Sequence, residues 1–139
     1  NWYAVDISNG LCPTGWHIPT DTDWDTLRDY AGDCNGQKTA SRADLWDDSY
    51  LDGSVDSWCT TNCPGCFGSI PFNVLPAGFC DGSTLECDHL SKSTHIWSTS
   101  TVNDDKANYY QWRYENTDIS KISTSGWKNR AFSVRCLKD

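Results

Sequence analysis

The chain has no methionine, only two glutamates (Glu86 and Glu115) and three histidines among its 139 residues. No apolar run approaches the ~20 residues a membrane-spanning helix needs, and mean hydropathy is -0.62, which excludes such a span. Lys and Arg are scarce, 11 against 19 acidic residues, and the net charge of -8 has the wrong sign for gripping a phosphate backbone. Nucleic acid is therefore excluded as a partner. With no initiator methionine and neither a charged nor an apolar leader at Asn1-Trp2-Tyr3, the chain reads as a processed or excised piece. No Asn-x-Ser/Thr acceptor is present, so N-linked glycans are not expected, whereas the 28 Ser and Thr residues leave room for O-linked ones. Neither a Gly-x-Ser-x-Gly elbow nor any other motif joins His17, His89 or His95 to a nucleophile. The expectation is a protein that is not an enzyme, with a hydrolase or thiol enzyme as the least favoured alternative.

What is present points to one exported domain spanning residues 1–139. Area scaling for 15.6 kDa gives about 22,600 Å² exposed when unfolded and about 7,300 Å² when folded, enough burial for a true core. Eight cysteines, an even number, fit an oxidising compartment, hence an extracellular or bacterial cell-surface location. Seventeen of the nineteen acids are Asp, a bias toward caps and turns over long helices. Eight Trp and six Tyr supply large apolar areas with polar tips, suited to a core and to a contact surface.

Along the chain, Trp2-Tyr3-Ala4-Val5-Asp6-Ile7 reads as a first strand, and the Pro- and Gly-punctuated stretch 11–19 as irregular. Thr20 as a cap, Asp21 and Asp23 in a first turn, Trp24, Leu27 and Ala31 at helical spacing and Gly32 as a stop predict a helix over 20–31. A second helix is expected over 39–46. Residues 47–70 lack periodicity and carry Cys59, Cys63 and Cys66, so they read as a disulfide-held loop. Short runs at 72–79, 95–100, 107–114, 119–122 and 132–137 predict a mostly antiparallel sheet. In Tyr110-Gln111-Trp112-Arg113-Tyr114, alternation assigns the aromatics to the core and Gln111 and Arg113 to solvent.

Several multi-residue boxes occur together and in order: Trp2-Tyr3-Ala4-Val5, Gly10-Leu11-Cys12-Pro13-Thr14-Gly15-Trp16-His17-Ile18-Pro19-Thr20, Leu75-Pro76-Ala77-Gly78-Phe79, Ile96-Trp97-Ser98-Thr99-Ser100 and Phe132-Ser133-Val134-Arg135-Cys136-Leu137-Lys138-Asp139. In these the chain resembles the Fibrobacter succinogenes major paralogous domain, a group of exported bacterial domains similar in turn to C-type lectin-like and formylglycine-generating-enzyme-like folds. The resemblance implies an α+β, C-type lectin-like fold: two helices, a twisted antiparallel sheet and long disulfide-pinned loops. It also suggests a Cys12–Cys136 bond, worth about 5 kcal/mol by chain entropy, with Cys80–Cys87 expected at about 2.5 kcal/mol. Cys34, Cys59, Cys63 and Cys66 then pair in one of three ways. The cysteines between Cys34 and Cys66 exceed the family pattern, so this member is expected to differ there.

Other uses of these residues have weaker support. Cys63-Pro64-Gly65-Cys66 has redox-pair spacing but no βαβ context, which favours a structural role. Zinc on Cys59, Cys63 and Cys66 with His89 or His95 fits poorly with an oxidising compartment. Calcium is the cation the acidic residues suit: Asp44, Asp47, Asp48, Asp52 and Asp56 in one loop, and Asn103, Asp104 and Asp105 in another. No EF-hand loop and no Glu-Pro-Asn or Gln-Pro-Asp signature accompanies them, and a solvated acidic face is the plainer reading. No other cofactor is expected.

Trp16, Trp24 and Trp97 lie in the shared boxes or on the helix stripe and are assigned to the core. Trp46, Trp58 and Trp127 sit beside Asp, Ser, Gly or Lys and are the candidate ligand-binding residues, since an exposed indole stacks on a sugar or anchors a protein contact. The functional expectation is a binding or adhesion module that recognises a glycan or a surface protein through loops 47–70 and 100–106. The alternative is a structural subunit of an extracellular fibre or surface layer, whose partners are copies of itself.

Overall fold

The computed structural model describes residues 1–7, 10–47 and 58–139; the side chain of Trp58 lies outside that set. Three α-helices are described: α1 (Asp21–Ala31), α2 (Asn35–Thr39) and α3 (Trp58–Asn62). Seven strands accompany them: β1 (Trp16–His17), β2 (Ala77–Cys80), β3 (Cys87–Leu90), β4 (Ser93–Thr101), β5 (Ala107–Arg113), β6 (Ser120–Ile122) and β7 (Leu137–Lys138). The class is α+β, with few helices and four disulfides.

α1 forms where its signals place it. Thr20 Oγ1 accepts from the Asp23 N–H, and the Asp23 carboxylate accepts in return from the Thr20 N–H, closing a capping box on the first turn. Gly32, at φ 64°, ends the helix, as only a residue without Cβ does easily. The second helix differs from expectation. It runs over Asn35–Thr39 and stops where 39–46 was to begin, because Ala40 is extended and bridges Val74. Only a 3-10 turn, Ala43–Leu45, falls in the expected range.

The main sheet has the order β3-β2-β4-β5-β6 and is mixed, since Gly78 of β2 pairs in parallel with Thr94 of β4. A two-stranded ladder, β1 with β7, was not expected in the Pro- and Gly-rich stretch. β3 was also missed, whereas Trp2–Ala4 is a 3-10 turn and not a strand. Trp2 turns inward there: its indole N–H donates to the Ser98 carbonyl at 2.9 Å.

Both faces of the sheet are covered. Even-numbered residues of β4 and β5, Ile96, Tyr110 and Trp112 among them, pack with Trp24, Ala40, Trp46, Val74 and Ile119. Odd-numbered Trp97, Ala107 and Tyr109 pack with Trp2, Val5, Ile18 and Phe132 on the other side. This overturns the solvent face assigned to Gln111, which is buried and contacts His95 Nε2 at 2.6 Å. Alternation located the faces of β5 correctly, but a strand central to two aromatic clusters has no wet face.

Candidate functional site

The three candidate tryptophans separate in the structure. Trp46 is 5% exposed, belongs to the core cluster on the α1 face and donates its indole N–H to the Ser41 carbonyl. It is a packing residue and not a ligand contact. Its polar neighbours gave the opposite impression, but burial of a whole indole outweighs them. Trp58 opens α3, and its side chain lies outside the described residues. Trp16, assigned to the core, is instead exposed, while Trp24 and Trp97 are fully buried.

Trp127 is 44% exposed and lies on a polar cleft of about 580 Å³. Two segments far apart in sequence form the cleft. Asp81 and Ser83 come from the turn after β2, and Trp127, Asn129 and Arg130 from the segment before Phe132, with Tyr3 and Asp105 completing the rim. Gly82 makes this approach possible: a Cβ there would stand 1.9 Å from the Asn129 carbonyl oxygen, so no side chain fits. The Cys80–Cys87 bond and the Cys80–Ala131 bridge fix the two segments against each other.

The electrostatics of the cleft are set locally. The Asp81 carboxylate accepts from the Ser83 hydroxyl and from the Ser83 and Thr84 N–H groups, which with the Arg130 guanidinium hold its pKa below the usual carboxylate range. Lys106 Nζ lies 4.2 Å over the Trp127 ring and occupies one face of the indole. The side chains of Asp105 and Asn129 have no partner among the described residues. The cleft thus combines an aromatic face, a carboxylate, a carboxamide and a guanidinium, groups that bind hydroxyls and backbone polar atoms.

The other acidic candidates do not gather. Asp44 is held by Arg42 in a two-pronged ion pair, and Asp47 is placed by its N–H to the Ser91 carbonyl. Asp48, Asp52 and Asp56 lie outside the described residues. In the second loop, Asn103 Oδ1 accepts from the N–H groups of Asp105 and Lys106, and the Asp104 carbonyl accepts from Lys128. Among the described residues no three His, Cys, Asp or Glu side chains form a group that could hold a metal.

The eight cysteines form Cys12–Cys136, Cys34–Cys59, Cys63–Cys66 and Cys80–Cys87. Cys63 follows the C-terminal end of α3, where the helix dipole disfavours a thiolate, unlike a redox pair at a helix N-terminus. The histidines are dispersed. His17 bridges Asp139 and Asp23, and its hydrogen bond to the Asp139 carboxylate raises its pKa. His95 is buried under Phe79 and Phe132. Sequence reasoning missed Tyr3, Asp81, Ser83, Asn129 and Arg130. The Cys80-Asp81-Gly82-Ser83 turn chemistry was visible, but nothing in the sequence reveals which segment that turn meets.

An α+β domain with a mixed five-stranded sheet, a disulfide between its first loop and the residue before its last strand, and loops that frame a polar cleft is the class defined so far. Over residues 1–138 the chain matches the model of the Fibrobacter succinogenes major domain, and it belongs to that family. Neither the curated proteins nor the solved structures give a significant match.

Proposed function

We propose that this chain is an exported, non-enzymatic binding or adhesion module of C-type lectin-like architecture, and that the Trp127 cleft takes a glycan. The single observation that carries the reading is the exposed indole beside Asp105 and Asn129, both side chains unpartnered among the described residues, in a cleft fixed by a disulfide. Sugar rings present C–H faces that stack on an aromatic, and their hydroxyls need the paired donor and acceptor groups that a carboxylate and a carboxamide offer. With Lys106 over one face of Trp127, stacking falls to the other. Preformed walls lower the ordering cost of binding. Hydrolysis is disfavoured, because a general acid needs a raised pKa and that of Asp81 is lowered. Four disulfides and the absence, among the described residues, of a helix able to cross a membrane support the extracellular assignment.

A glycan array with the wild-type chain and Trp127→Ala, each with and without EDTA, tests this. The expected result is glycan binding that the substitution weakens at least about tenfold, consistent with loss of one hot-spot aromatic. Equal binding by both proteins rejects the cleft. Loss of binding in EDTA would assign a role to calcium at the acidic loops.

The second reading, a subunit of a fibre or surface layer, is favoured by one observation: large apolar side chains stand in water at Leu85 (81% exposed) and Leu90 (65%), with Ile7, Leu11 and Trp16 elsewhere. Sedimentation and negative-stain microscopy separate the readings, fibres supporting the subunit and a monomer the binder.

A further inference from the structure

Asp21 opens α1 and reaches the sheet face that α1 covers. Its Oδ2 accepts from two donors on neighbouring strands, Asn108 Nδ2 of β5 at 2.7 Å and Lys121 Nζ of β6 at 2.9 Å. Ser98 Oγ of β4 donates to Oδ1 at 2.7 Å, which fixes the carboxylate in place. Strand register brings the two donors together. Lys121 lies opposite Tyr110, and Asn108, two residues earlier on the same face, is its diagonal neighbour, within reach of a long side chain. Asn108 is only 7% exposed, and its carbonyl Oδ1 is buried without a hydrogen-bond partner. An ion pair accounts for Lys121 on Asp21. It does not account for a buried carboxamide, its carbonyl idle, held against the same oxygen atom.

We propose that Lys121 and Asn108 are the reactants of an intramolecular isopeptide crosslink, with Asp21 as the proton shuttle between them. The Lys121 ammonium passes a proton to Asp21 Oδ2, leaving a neutral amine beside a neutral carboxylic acid. Turning the Asn108 carboxamide by half a rotation breaks one hydrogen bond only, since Oδ1 has none, and Oδ1 then accepts from the acid. Lys121 Nζ attacks the polarised Cγ. As the Nζ–Cγ bond forms, the amine's surplus proton travels through Asp21 to Nδ2 and the Cγ–Nδ2 bond breaks; the released ammonia takes the remaining acid proton and departs as ammonium, which restores the Asp21 carboxylate. The balance requires no oxidant, metal or cofactor. The first proton transfer is uphill, because the resting pair is charged, so the reaction is slow. Effective molarities of about 10⁵ M and above are reached when two groups are held close in one molecule, as the shared contact with Asp21 Oδ2 holds these, and the escape of ammonium carries the reaction forward.

Intact-mass spectrometry tests the proposal on the folded, oxidised chain after prolonged incubation at mildly alkaline pH. After reduction and alkylation the expected mass lies below that of the alkylated sequence by about 17 Da, the mass of ammonia, with a protease fragment joining Asn108 to Lys121. Lys121→Arg keeps the charge against Asp21 and Asn108→Ala keeps the ion pair; both retain full mass while circular dichroism reports a native fold. A wild-type chain of full mass overturns the proposal. So does a loss of about 18 Da with Asp21 in the joined fragment, because the carboxylate is then a reactant and not the shuttle.

Discussion

His95 stacks on Phe79 at 4.7 Å and meets Phe132 edge-on at 5.0 Å, and its Nε2 accepts from Gln111. That arrangement requires a neutral ring. Burial first, then the nearby His89, Arg113 and Arg130, push its pKa down to about 3. Below about pH 6.5 the unfolded chain binds a proton that the folded chain refuses, so stability falls on acidification, by up to about 1.4 kcal/mol per pH unit until about pH 3. Urea titrations across that range should show the slope, and His95→Leu should flatten it. His17 acts in the opposite sense. Its folded pKa is raised by Asp139 and Asp23, so its contribution is full below about pH 6.5 and disappears as pH rises through the higher folded value. An NMR titration should place the His17 midpoint above 6.5, and Asp139→Asn should lower it. None of this difference was legible in the sequence, where His17 and His95 each stand close to a tryptophan and an isoleucine.

Among the elements, α1 was readable because its signals are local: cap, acidic first turn, apolar spacing and glycine stop fall within thirteen residues of one another. Thr20→Ala should remove the capping box and cost about 1 kcal/mol in a denaturant melt. β4, β5 and β6 were readable for the same reason, as short runs bounded by local turn chemistry, with alternation marking the two faces of β5. The N-terminal turn was not. Trp2 has strand-forming neighbours, but the Ser98 carbonyl and the Lys128 ammonium 4.4 Å over its ring draw the indole into the core, and the backbone bends to follow. The short helices failed for the converse reason, since their ends are set by contacts with distant backbone. Gly36 of α2 is one case: a Cβ there would lie 2.8 Å from the Thr117 carbonyl oxygen. Gly82, in the turn after β2, makes the same kind of approach to distant backbone, and Gly82→Ala should destabilise the fold by more than about 1 kcal/mol while disturbing the cleft, measurable by thermal denaturation and by change in Trp127 fluorescence.

For the molecule as a whole, the accessible surface of 7448 Å² agrees with the value expected from mass alone. The bond from Cys12 to Cys136 closes a span of 124 residues and lies close to the β1–β7 ladder. Replacing both cysteines with serine should lower stability by about 5 kcal/mol in guanidinium titrations, less any structure retained in the unfolded chain. The cleft was half legible at this scale. Trp127 and Asp105 were singled out from their local context, while the partners that make them a site arrive through the Cys80–Ala131 junction, a contact between residues 51 positions apart. The outer strands carry one more implication. β6 is three residues long, and β3 is interrupted by His89 at φ 62°, a left-handed kink that tilts its amides out of line. Neither border offers a straight row of backbone donors on which another chain could template, so any polymer of this domain would be glued by side chains and would dissolve in mild detergent, unlike an amyloid ribbon.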